Sequence, residues 1–143
     1  MILATLIALW LLSSGPQHVA VPDVAQYACI TAAVYGEAEG EPYRGKLAVA
    51  AVVRERARRS QITPCAVVFA RHQFSGLGRR VGRIHPRALA KSLDAAMASA
   101  LNTAPVHECA GATHFDNNSR AAWARILPRV CVVGNHTFYK ESP

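Results

Sequence analysis

The sequence predicts an α+β domain, mostly helical, with a small antiparallel β element near its C-terminus. Three observations carry this prediction. Apolar residues recur at helical spacing through most of residues 24–101. From Ala112 onward, short β-prone runs alternate with turn residues. The chain has 143 residues, 51% hydrophobic and 17% charged, which suits one packed core in a single domain and excludes a disordered chain.

The N-terminal run Ile2 to Leu12 is apolar but only eleven residues long. A membrane span needs roughly twenty. The run suits the apolar part of a secretory signal. Basic residues do not precede it, and Ala20 with His18 two positions earlier makes a poor cleavage site. Three readings stay open: an atypical signal peptide, an uncleaved weak anchor associated with the membrane, or a hydrophobic first helix of the core. The polar break Ser13-Ser14-Gly15-Pro16 favours export to the periplasm or cell envelope. Residues 1–22 are thus expected to be leader and linker, and residues 23–143 the folded domain.

Asp23 is a candidate N-cap for a first helix in which Val24, Ala28, Thr31, Ala32 and Tyr35 share a face. Gly36 is expected to weaken or end it, leaving Glu37 near its edge. A second helix spans about Tyr43 to Arg58, with arginines at its C-terminal end complementing the helix dipole. Thr63-Pro64 opens a short third helix. His85-Pro86 opens a fourth, running to about Leu101, with Leu89, Leu93, Ala96, Met97 and Ala100 as its expected apolar stripe. Beyond it, Ala112–Phe115, Val130–Val133 and Thr137–Tyr139 read as strands, with Asp116-Asn117-Asn118-Ser119 and Gly134-Asn135 as turns.

The strongest chemical signal is Tyr35-Gly36-Glu37-Ala38-Glu39-Gly40-Glu41-Pro42, three glutamates within five residues between two helices. A carboxyl held in a partly buried cleft there is a candidate general acid, because burial disfavours the charged form. A continuing helix would put Glu37 and Glu41 on one face, where like charge raises one carboxyl further. The loop residues Gln73, Phe74 and Ser75 offer an amide, an aromatic face and a hydroxyl, a combination suited to sugars. His114, His136 and Tyr139 sit near aromatic residues, without the spacing of a metal site. No metal or cofactor is expected. Ser75 and His114 lack the G-x-S-x-G elbow of a serine hydrolase.

The net charge is +7, with arginines crowded into the middle third. A polyanion partner follows: nucleic acid, anionic membrane or cell wall. No nucleic-acid-binding motif accompanies the arginines, so nucleic acid is not expected. The four cysteines, Cys29, Cys65, Cys109 and Cys131, include no C-x-x-C pair and suggest two disulfides in an exported chain. Four cysteines allow three connectivities, and spacing does not choose among them.

Taken together, the blocks from about Ala25 to Lys140 resemble the SleB/CwlJ-type cell wall hydrolases, the spore-cortex-lytic enzymes and their relatives. The resemblance rests on Tyr35–Pro42, Gly45–Val53 with Arg56, Val67-Val68, Gln73-Phe74-Ser75, Ala112–Phe115, Trp123 and Gly134–Tyr139. It implies a lysozyme-like catalytic domain that cuts peptidoglycan between N-acetylmuramic acid and N-acetylglucosamine. The expected outcome is lytic transglycosylation, with 1,6-anhydromuramic products. It assigns the catalytic glutamate to Glu37, and Glu41, Gln73, Phe74, Ser75, His114 and Tyr139 are expected at the substrate. The chain departs from many relatives at Arg54 or Glu55, where they carry Asn just before the arginine matched by Arg56. No separate wall-binding domain is expected. A small monomeric phage endolysin or exported autolysin is expected. The alternative from another class is a non-catalytic basic module binding cell wall or nucleic acid. Expected disulfides are Cys29–Cys65, stapling the first helix to the start of the third, and Cys109–Cys131, linking the two strand-like segments of the C-terminal part.

Overall fold

The computed structural model describes residues 24–71, 73–74, 84–117 and 121–142. The expected leader and the Asp23 cap lie outside them. Helix α1 spans Val24–Ala38 and buries Ile30, Ala33, Val34 and Ala38. It runs through Gly36 without breaking, contrary to the sequence expectation. Gly36 is itself buried, so close packing outweighs a helix-propensity cost of roughly 1 kcal/mol. The helix stops two residues later, which leaves Glu37 as its penultimate residue.

Helix α2, Tyr43–Ser60, is the centre of the domain. Its Val49, Ala50, Val52 and Val53 are fully buried at 0% exposure. It closes at Gln61, whose left-handed backbone (φ 53°) returns an N–H to the last turn. Helix α3, Pro64–Phe69, is capped by Thr63, which accepts from the Ala66 N–H at 3.1 Å.

Helix α4, Pro86–Ala100, packs on both α1 and α2. The fully buried face shares only Ala96 with the expected stripe. Ser92, Ala95, Ala96 and Ser99 point inward, while Leu93 and Met97 are 43% and 44% exposed. Small side chains at i, i+3, i+4 and i+7 let the helices approach closely. The Ser92 hydroxyl is satisfied by donating to the Ala88 carbonyl one turn back, at 2.9 Å.

A 3₁₀ turn at His107–Cys109 leads to strand β1, His114–Asp116. A second 3₁₀ turn, Ala122–Arg125, precedes β2, Arg129–Val133, and β3, His136–Tyr139. The sheet is antiparallel in the order β1-β3-β2. His114 faces Tyr139 and Phe115 faces Phe138 across β1 and β3. Phe138, at 0% exposure, anchors the sheet in the helical core. The domain is therefore mostly helical with a three-stranded C-terminal sheet, as its sequence predicts.

Both expected disulfides are present. Cys29–Cys65 ties α1 to α3, and Cys109–Cys131 ties the first 3₁₀ turn to β2, with Cα separations of 5.1 and 5.3 Å. Among the described residues, no helix is long and apolar enough to cross a membrane.

Candidate active site

Residues from six separate segments surround a cavity of about 540 Å³. Glu37 comes from the end of α1 and Arg56 from α2. Gln73 follows α3, and His114, Phe115 and Asp116 form β1. Trp123 lies on the second 3₁₀ turn, and His136 opens β3. Two other cavities, of about 520 and 770 Å³, are comparable or larger. Neither brings a carboxylate together with imidazole, indole and amide groups, as the 540 Å³ cavity does. Size alone would choose otherwise, but chemistry selects this one.

Arg56 organises the floor. Its Nε donates to the Thr113 carbonyl and its Nη1 to Gln73 Oε1 at 2.7 Å. Its guanidinium lies 5.6 Å from the Phe74 ring centroid. Burial pushes its pKa below the ordinary value, and the Glu141 charge opposes that shift.

His114 is fixed through Nδ1, 3.0 Å from the Thr113 hydroxyl, and its ring meets Trp123 at 5.0 Å. Burial lowers its pKa, the Arg56 charge adds to this, and Glu141 opposes it. His136 is 5% exposed, between the Phe115 and Phe138 rings. Burial lowers its pKa too, against the pull of Glu41, Glu37 and Asp116. Its Nδ1 is buried without a hydrogen-bond partner among the described residues. Asp116 Oδ2 accepts from the Ala121 N–H at 3.4 Å.

Of the residues expected at a substrate, Glu37, Gln73 and His114 line the cavity. Phe74 sits behind it, 7% exposed in the core and 6.4 Å from the Phe115 ring. Tyr139 is 2% exposed and supports Trp123 edge-on at 5.3 Å. Ser75 lies outside the described residues.

Glu41 does not line this cavity. Helix α1 ends at Ala38, so Glu37 and Glu41 do not share a helical face. Instead, the Glu41 carboxylate accepts from the Asn135 N–H at 2.9 Å and from Asn135 Nδ2 at 3.0 Å. Burial pushes its carboxyl up, but the Asn135 hydrogen bonds, His136 and Lys46 outweigh burial and hold it below its ordinary 4.5.

Asp116 was legible only as a turn residue. The signal that reveals it is the alternation His114-Phe115-Asp116, which places His114 and Asp116 on one face of a strand. Among the described residues, no three His, Cys, Asp or Glu side chains converge as metal ligands.

A family model described as cell wall hydrolase matches residues 40–139, beginning three residues after Glu37. The catalytic domain of the germination-specific lytic transglycosylase SleB from Bacillus anthracis superposes with a TM-score of 0.63 at 29% identity, covering 80% of this chain and 93% of that one. The catalytic domain of Bacillus cereus SleB gives a TM-score of 0.64 at 28% identity, covering 88% and 100%. No curated protein matches the sequence significantly.

Proposed function

The chain belongs to the cell wall hydrolase family, and we propose that its peptidoglycan cleavage is a lytic transglycosylation with Glu37 as the general acid. The observation that carries this reading is the shared cavity, which Glu37 lines together with donors and aromatic groups suited to a sugar.

In this reaction the Glu37 carboxyl gives its proton to the glycosidic oxygen. The bond from that oxygen to the muramic C1 breaks, and N-acetylglucosamine leaves with its hydroxyl restored. The muramic 6-hydroxyl then attacks C1, and the Glu37 carboxylate takes the hydroxyl proton. The 1,6-anhydro ring closes, no water is consumed, and one carboxyl serves both proton transfers. Gln73, His114 and Trp123 hold the sugar through hydrogen bonds and ring contact. Phe74 and Tyr139 act from behind by fixing Arg56 and Trp123.

Simple hydrolysis is the second reading, favoured by one observation: Asp116 lines the same cavity as Glu37. Such a second carboxylate can activate water or act as nucleophile. Mass spectrometry of muropeptides released by the purified protein tests both. Anhydromuramic ends support transglycosylation, reducing ends support hydrolysis with Asp116, and the absence of released glycan overturns both. The work of the enzyme lies outside the cytoplasm, on the wall. The +7 charge favours dwelling on that anionic polymer, and the reading takes the protein to be a monomer exported to the envelope.

A further inference from the structure

The turn after Glu37 is clamped by two charged residues that do not line the cavity. Lys46 is 2% exposed, an extreme position for an ammonium. Its Nζ donates to the carbonyls of Ala38, Glu39 and Glu41, the last two at 2.7 and 3.1 Å. Three donors thus meet three carbonyls of the turn that follows α1, the first of which, Ala38, also accepts from the Glu41 N–H at 3.1 Å.

The side chain of Glu41 reaches the other way. It crosses to the β2–β3 turn and takes both Asn135 donors. The fit is tight on both sides. A Cβ on Gly45 would lie 3.1 Å from Glu41 Cβ. A Cβ on Gly134 would overlap Glu41 Oε2 and sit 2.8 Å from Pro42 Cδ. Glu37 lies one residue before Ala38, and His136 one residue after Asn135. The chain of contacts Lys46, Glu41, Asn135 therefore joins two walls of the cleft.

We propose that Lys46 and Glu41 are positioning residues that hold the α1 end carrying Glu37 and the hairpin carrying His136 in fixed relation across the cleft. This rests on the glycan-cleaving reading above. Glu41 then acts through the backbone and not by touching the sugar. A misplacement of about 1 Å in a reacting group costs on the order of 10²-fold in rate.

The test is a series of Glu41→Ala, Glu41→Gln, Asn135→Ala and Lys46→Met, assayed on soluble glycan fragments, with melting curves to establish folding at the assay temperature. Glu41→Ala lowers kcat by roughly 10- to 100-fold with little change in KM. Glu41→Gln recovers most of the loss, because reversal of the Asn135 amide restores both hydrogen bonds without charge. A raised KM at unchanged kcat in Glu41→Ala would make Glu41 a sugar ligand and overturn the proposal. So would unchanged kinetics in a folded Glu41→Ala variant.

A measurement that needs no turnover separates this inference from the functional reading. In NMR spectra, Glu41→Ala moves the Glu37 amide and the His136 ring signals together, while signals of α3 stay in place. Silence at Glu37 and His136 overturns the positioning role even if the parent enzyme cleaves nothing. Movement at both, in a parent enzyme that releases no glycan, leaves the clamp standing and removes the reaction assigned to it. Should Lys46→Met fail to fold, the Glu41 and Asn135 variants decide the question.

Discussion

Arg56 Nη1 donates to Gln73 Oε1 at 2.7 Å, and this bond sets the direction of the Gln73 amide. A guanidinium has only donors, so the glutamine must offer it the carbonyl. The amide nitrogen is left as the donor for a sugar carbonyl or hydroxyl. Gln73→Ala is expected to raise KM on glycan fragments roughly 3- to 10-fold, the worth of one net hydrogen bond, with kcat retained. Arg56→Lys should reproduce much of this, because an ammonium does not offer the planar fork that serves Thr113 and Gln73 together. An unchanged KM in Gln73→Ala would remove Gln73 from the substrate.

The acid assignment predicts a sharper loss. Glu37→Gln keeps shape and removes the transferable proton, so kcat should fall by on the order of 10²–10⁴. Circular dichroism should be unchanged. Clearing of purified peptidoglycan at the parent rate by this variant is the outcome that sinks the assignment.

Stability should depend on pH through the two histidines of the cleft. His114 and His136 both have pKa values lowered by burial from an ordinary 6.5. Below 6.5 the unfolded chain takes up protons that the folded protein refuses. The unfolded state then binds more protons, and stability rises with pH across that window. As pH falls from 7, the melting temperature should therefore drop before any carboxylate titrates. Glu41 and Glu55 add to the loss further down, because their folded carboxyls lie below the ordinary 4.5, that of Glu55 at about 2. A flat melting temperature between pH 7 and 5.5 would contradict the histidine contribution. His136→Phe should flatten this slope.

The disulfides should leave no titratable thiol in the unreduced protein. Cys109–Cys131 closes a separation of 22 residues, worth roughly 3 kcal/mol in the chain-entropy view. The double replacement of Cys109 and Cys131 by Ala should lower the unfolding free energy by about that amount in denaturant titration. Four reactive thiols in native protein would count against both bridges and against export.

Gly134 is expected to be intolerant for two reasons that add. Its φ of +59° is costly for any residue with a Cβ, and that Cβ would overlap the Glu41 carboxylate. Gly134→Ala should cost at least about 1–3 kcal/mol in thermal or chemical unfolding. A neutral effect would mean that the hairpin turn yields easily and that the Glu41–Asn135 contact is loose.

Much of this molecule was legible along the chain. Thr63 and Pro64 mark the start of α3 because a cap and a fixed φ act within one turn of backbone. The three strands were visible in β-branched and aromatic runs, and Gly134-Asn135 in its turn chemistry. Glu37 stood out because glycines and two helices frame it in the sequence itself. The ordered blocks from Tyr35 to Tyr139 pointed to the family before any contact was known.

Tertiary structure decided what near neighbours cannot encode. The sequence favoured a stripe through Leu89, Leu93, Ala96, Met97 and Ala100 on α4, but contact with α1 and α2 kept only Ala96 of it and added Ser92, Ala95 and Ser99, because close approach of helices rewards small side chains. Glu41 looked like a partner for Glu37 because helical spacing was the only geometry available to judge by. The break after Ala38 and the arrival of Asn135, 94 residues along the chain, turned it toward the hairpin. Asp116 and His136 entered the cleft for the same reason. Helix periods, caps and turns are set by residues a few positions apart, whereas a site assembled from six segments exists only once long-range burial has chosen which faces meet.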